Sequence, residues 1–139
     1  MVNIRIGNEA DKEYIFRIRP QAVSLFSGDG YFLVAEDGDE ILGCTVVFSR
    51  KIPAPVPAGE AFINLIEVFE NSNQQKGVAS LMVQEVLKME KEKGTYQIRA
   101  YCDIRNVASH RLWLKNGFGI SPVKESDRSI LGSFVTYVL

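Results

Sequence analysis

Between Ala61 and Phe69 the chain is apolar on both alternating faces. Such a run reads as a central strand covered on both sides, because a strand with one wet face would alternate. Asn64 and Glu67 interrupt the run and need an explanation. A long amphipathic stretch follows. Val78, Leu81, Met82, Val86 and Met89 recur at helical spacing, with Gly94 as the C-terminal stop. Between strand and helix lies Gln74-Gln75-Lys76-Gly77-Val78-Ala79-Ser80. The first N–H groups of a helix have no partner within it, and the macrodipole adds partial positive charge there. Such a turn holds a phosphate when no side chain blocks the approach. Gly77 and Ala79 are small enough to leave it open. A plain strand-to-helix loop containing one glycine is the alternative, and these residues alone leave both readings standing.

The flanking segments extend the pattern. Asn3 to Gly7 alternates as a first strand, and Asn8 is placed to cap a helix over Ala10 to Arg19, with Tyr14, Ile15 and Ile18 inward. Pro20 interrupts it, and Gln21 to Phe26 reads as a short second helix. Tyr31 to Ala35 and Ile41 to Ser49 read as strands joined at Asp37-Gly38, a hairpin signal. The acidic residues of that turn lack calcium-loop spacing and read as a solvated turn. Pro53, Pro55 and Pro57 mark a stiff extended connector. Tyr96 to Cys102 is a further strand, and Asn106 to Asn116 a helix stopped by Gly117. Phe118 to Val123 and Ile130 to Leu139 form a last strand pair. This mixed α/β order fits one sheet with helices packed on both faces.

At 139 residues the chain is expected to form one domain over residues 1–139. Its net charge of -1, with both signs interspersed, argues against nucleic acid as a partner. No apolar run reaches the roughly 18 residues of a membrane helix, and no leader pattern is evident. Cys44 and Cys102 form no metal-ligand spacing, so two reduced thiols in a cytoplasmic protein are expected. A nucleotide triphosphatase is a poor fit, because the loop lacks the Gly-x-x-x-x-Gly-Lys-Ser/Thr pattern.

Gln74, Gly77 and Ala79 match the acetyl-CoA loop of the GNAT superfamily of N-acetyltransferases. Asn106, Ser109, Trp113, Gly117 and Phe118 match a second pattern of that family. The run Ser109-His110-Arg111-Leu112-Trp113 resembles the Ala-His-Arg-Phe-Tyr version of many bacterial members. With the element order, the resemblance spans nearly the whole chain. It implies a mostly antiparallel sheet whose two central strands splay, with acetyl-CoA as cofactor. Pantetheine would lie in the splay and pair with the backbone near Ile66, Glu67 and Val68. Pyrophosphate would rest on Gln75, Lys76, Gly77, Val78, Ala79 and Ser80. Asn106 would touch the pantetheine arm, and a backbone N–H near Val68 would supply the oxyanion donor.

Two positions depart from the family pattern. The usual acid is a tyrosine where this chain has Trp113, which donates only through its indole nitrogen. Many relatives carry a glutamate where Asn64 stands; Asn64 is no base, though it can order a water. Glu67 is the nearest carboxylate, either a base or an ion-paired strand-end residue. Simple alternation puts it on the opposite face from Asn64, unless a bulge reverses that. Trp113 is expected to wall the pantetheine or the acceptor. His110, the single histidine, reads as packing or hydrogen-bonding rather than catalytic. The resemblance implies acetyl transfer to a primary amine of a small molecule or peptide, without a covalent enzyme intermediate and without metal. A catalytically weak acyl-CoA-binding protein is the alternative, and a homodimer is left open.

Overall fold

In chain order, the computed structural model contains β1 (Asn3–Ile6), α1 (Glu9–Ile18), a 3-10 helix (Pro20–Phe26), β2 (Gly30–Asp37), β3 (Glu40–Lys51), β4 (Gly59–Val68), α2 (Val78–Glu92), β5 (Gln97–Asp103), α3 (Val107–Lys115), β6 (Gly119–Lys124) and β7 (Ile130–Val138). It describes residues 1–52, 58–69, 77–124 and 130–139. The proline connector and the Gln74-Gln75-Lys76 part of the loop lie outside the described residues. The strands form one sheet in the order β1-β2-β3-β4-β5-β7-β6. All neighbours are antiparallel except β4 and β5, which run parallel.

The helices cover both faces. Ile15, Ala22, Phe32, Val34, Cys44, Val46 and Phe69 form the core under α1 and the 3-10 helix. Phe26 docks edge-on against both Phe16 and Phe32, with ring centroids 5.1 Å apart in each case. That pins a helix type that rarely runs so long unaided. On the other face, α2 and α3 pack over Leu33, Val47, Ala61, Ile63, Ile98, Ala100, Cys102 and Val135. The inward row of α2 is Val78, Met82, Val83 and Val86. Leu81, expected inside, is exposed. Glu90 is buried instead, accepting from Tyr31 Oη at 2.7 Å and Thr95 Oγ1 at 2.7 Å. A buried carboxylate so satisfied ties the far end of α2 to β2.

The capping of α1 goes further than Asn8 alone. Asn8 Oδ1 accepts from Asp11 N–H, and the Asp11 carboxylate accepts in return from Asn8 N–H. Asp11 is also gripped by Arg5 through two hydrogen bonds of 2.7 and 2.9 Å. Those bonds hold its carboxyl below the usual carboxylate range. Asp11→Ala is expected to lower stability by roughly 3 kcal/mol near neutral pH, one cap plus charged hydrogen bonds. A depressed folded-state pKa means this stabilisation is complete above the unfolded value, near pH 4. It is lost as pH falls through the folded value. Urea unfolding from about pH 7 down to about pH 2 should therefore show the two proteins converging. A gap of constant size would mean that the charge contributes nothing.

Candidate active site

The register of β4 creates the site. Val46 pairs with Leu65 and Val47 with Ile63, so Asn64 is an extra residue, a bulge in β4. A bulge shifts the side-chain alternation by one. Asn64 Nδ2 donates to Leu25 O at 3.0 Å, and Arg19 Nε donates to a Glu67 carboxylate oxygen. Both side chains therefore face α1 and the 3-10 helix. The bulge overturns the simple alternation that would have parted them.

Beyond the bulge β4 leaves β5. Their parallel pairing runs only from Glu60↔Gln97 to Ile63↔Ala100, although β4 continues to Val68 and β5 to Asp103. The central strands thus splay toward their C-terminal ends. The direction of the β4 backbone there follows from one bond. Phe69 N–H donates to Leu42 O at 2.8 Å, toward β3. Residues of an antiparallel pair alternate in which side their N–H and C=O groups face. Glu67 therefore also faces β3 with its backbone, while Ile66 and Val68 turn theirs to the gap. This corrects the expectation for Glu67, whose backbone is not on the gap side.

Two helix ends close on this gap. At the start of α2, Gly77 has φ +85°, a left-handed conformation that favours glycine. A β-carbon built there would meet nothing among the described residues within 4 Å. Among the described residues no side chain caps α2, and its first turn holds no acidic residue. Its first N–H groups thus lie open to an anion. Val78 is buried and offers only backbone. Ala79 lines the cleft. The Ser80 hydroxyl accepts from Asn116 Nδ2 at 3.2 Å, which ties its side chain to the end of α3. At the start of α3, Asn106 Oδ1 accepts from Ser109 N–H at 3.0 Å.

Ile66, Glu67, Val68, Ala79, Asn106, Ala108, Ser109 and Leu112 line a cleft of about 380 Å³ between these elements. Trp113 is not among them. It is 1% exposed, packed on Phe118, and donates its indole N–H to Ser109 Oγ at 3.0 Å. It sits one helical turn behind the cleft wall, because β-sheet packing claims that face of α3. Of the residues singled out from the sequence, Ile66, Glu67, Val68, Ala79 and Asn106 line this cleft, and Ala108, Ser109 and Leu112 join them. Arg19, which fixes Glu67, carries no local signal. Ser109 stands in a matched motif, but spacing alone gives it no role.

The thiols offer no activated nucleophile. Burial, reinforced by the Glu67 carboxylate, pushes the Cys44 thiol up to about 12. Cys102 Sγ lies 3.2 Å from His110 Nδ1. That nitrogen is also 3.0 Å from Asn106 O. A carbonyl oxygen only accepts, so Nδ1 carries the proton and cannot take one from the thiol. His110 is a packing residue held between Asn106 and Ser133. Among the described residues no metal-binding cluster occurs, and no helix is long and apolar enough to cross a membrane.

The fold has many solved counterparts. Arabidopsis thaliana NAA60 in complex with a bisubstrate analogue superposes with a TM-score of 0.78 at 16% identity, over 99% of this chain and 98% of that one. The same protein in complex with acetyl-CoA gives 0.75 at 16% identity, over 100% of both chains. A GNAT family acetyltransferase from Elizabethkingia anophelis with acetyl-CoA bound gives 0.73 at 18% identity, over 99% and 98%. No curated protein matches by sequence. The model of the acetyltransferase (GNAT) family matches residues 4–118. With its splayed β4 and β5 and its open α2 turn, the chain belongs to the GNAT acetyltransferase family.

Proposed function

We propose that this acetyltransferase moves an acetyl group from acetyl-CoA to a primary amine of a small molecule or peptide, by direct transfer in a ternary complex. The observation that carries the reading is the gap between β4 and β5, with unpaired backbone on one side and an uncapped helix end at its mouth. The first turn of α2 from Gly77 would hold the pyrophosphate, joined by Gln74, Gln75 and Lys76 of the preceding loop. The gap-facing groups of Ile66 and Val68, with Asn106 across the cleft, would hold the pantetheine arm. When bound, acetyl-CoA supplies an acyl group already activated as a thioester. The Val68 N–H would meet the carbonyl oxygen as negative charge develops on it.

Asn64 and Glu67 share the opposite face of β4, and the acceptor would approach from there. Glu67 would draw in the amine and take the proton that nitrogen must lose. Asn64, its Nδ2 committed to Leu25, keeps Oδ1 to hold the amine or a water. The C–N bond forms from the nitrogen lone pair, and the C–S bond breaks with its electrons passing to sulfur. Glu67→Gln keeps the shape and a partner for Arg19 while removing the base. Its turnover should fall about 100-fold, most at low pH where the amine is protonated, with the acetyl-CoA KM unchanged. A rate equal to wild type at every pH would return Glu67 to a purely structural ion pair.

One observation favours the alternative of a weak acyl-CoA binder with a sensory or partner-binding role: positions 64 and 113 carry no ionisable side chain. Thiol release from acetyl-CoA with a panel of amines and short peptides separates the two. Turnover with any acceptor at a rate above hydrolysis supports the enzyme; binding with none supports the sensor.

A further inference from the structure

Ser109 is held in an unusual way for a helical serine. Its oxygen accepts the Trp113 indole N–H at 3.0 Å. A serine in a helix normally returns its own proton to the carbonyl four residues back. For Ser109 that residue is Arg105, which precedes α3. The carbonyl three back, Asn106 O, already accepts from His110 N–H and lies against His110 Nδ1. Among the described residues the Ser109 hydroxyl donates to nothing. The oxygen is thus fixed by the indole, no described group takes its proton, and Ser109 is one of the residues that line the cleft. Among the described residues that line the cleft, Ser109 has the one hydroxyl side chain, and it is less exposed than Asn106.

Resting on the acetyl-CoA reading above, we infer that the Ser109 hydroxyl, oriented by Trp113, donates a hydrogen bond to the departing sulfur of acetyl-CoA. The gap-facing Val68 N–H and Ser109 line the same cleft. A thioester whose carbonyl oxygen meets the first leaves its sulfur open to donors lining that cleft. As the C–N bond forms, the C–S electrons pass to sulfur, and the thiolate is stabilised by the O–H without taking its proton. That thiolate later takes a proton from water, and the nitrogen proton leaves through Glu67. Ser109 is the catalytic residue here. Trp113 is a positioning residue, whose N–H occupies the oxygen and so directs the hydroxyl proton forward.

The test uses the bound product as well as turnover. The pKa of the CoA thiol, followed by thiolate absorbance in the complex, should be about one unit higher in Ser109→Ala than in wild type. Turnover should fall about 10- to 100-fold with the acetyl-CoA KM unchanged, as for loss of a hydrogen bond to a charged atom. Ser109→Thr should restore both. Trp113→Phe should give a smaller loss, and the double variant Ser109→Ala/Trp113→Phe should match Ser109→Ala alone, because the indole acts only through the serine. A bound-thiol pKa identical in wild type and Ser109→Ala overturns the inference and leaves the acetyl-CoA reading intact. Loss of CoA binding in Ser109→Ala overturns it too, since the residue would then be a packing element. Wild-type protein that does not bind CoA defeats both. Wild-type protein that binds CoA but acetylates no amine defeats the enzymatic reading and with it the catalytic role of Ser109.

Discussion

Gly77→Asp is expected to abolish the rise in melting temperature that acetyl-CoA and CoA give the wild-type protein. At a ligand concentration of about 100 Kd, binding to the native state alone stabilises by roughly 2.7 kcal/mol. For a chain of this size that is roughly 5–10 °C. ATP should give no comparable shift. Gly77 sits at φ +85° with open space where a side chain would grow, so the aspartate fits at a modest backbone cost. Its charge then stands before the uncapped N–H groups of α2, where the pyrophosphate would otherwise lie. Gly77→Asn is the control, since asparagine tolerates the left-handed conformation and adds no charge. It should retain most of the shift. A shift of wild-type size in Gly77→Asp means the phosphates lie elsewhere.

Val68→Pro is the second large effect. Where an oxyanion donor is preorganised, removing it typically costs about 10²–10³ in kcat. Proline deletes the Val68 N–H, which faces the gap and makes no ladder bond to β3, so the sheet should tolerate it. Val68 packs beside Leu42, Val78 and Met82, and the proline ring replaces part of that apolar contact. The contrast is Phe69→Pro, which deletes the donor to Leu42 O and a fully buried ring. That variant should be grossly destabilised. A Val68→Pro protein that melts near wild type and turns over normally would remove the backbone N–H from the mechanism.

The order of elements was legible because each is punctuated locally. Asn8 caps α1, Asp37-Gly38 turns β2 into β3, and Gly94 and Gly117 end α2 and α3 with positive φ. The helix and strand periods between those marks did the rest. What escaped was whatever two segments decide jointly. The bulge at Asn64 exists only as a register between β3 and β4, and no feature of either strand alone announces it. It alone determines that Glu67 shares a face with Asn64. Leu81 fits a helical stripe, but the sheet beneath α2 draws in Val83 and Glu90 instead. Trp113 was placed by motif in the cleft, yet its ring is large and apolar enough to be claimed by Phe118 and the sheet. The open turn at the start of α2 was readable in part, from the small residues Gly77 and Ala79. The hydrogen bond that fixes the Ser109 oxygen was not, because it depends on where the indole nitrogen of Trp113 points.

Asn116, at the end of α3, uses its whole amide on neighbours. It accepts from Gln84 Nε2 at 2.6 Å and donates to Ser80 Oγ at 3.2 Å and Leu112 O at 2.8 Å. Ser80 lies in the first turn of α2, so the helix end that would meet phosphate and the helix that walls the cleft are joined through one side chain. The consequence is entropic. Two surfaces that drifted independently would each have to be immobilised when a long, flexible ligand arrived, and affinity would fall by that ordering cost. Here the hydrogen bonds of Asn116 already hold the two helix ends together in the folded chain, so less ordering is left for a ligand to impose. The same bridge predicts that loosening α3, as in Asn116→Ala, also loosens the start of α2, read as faster amide exchange in both helices.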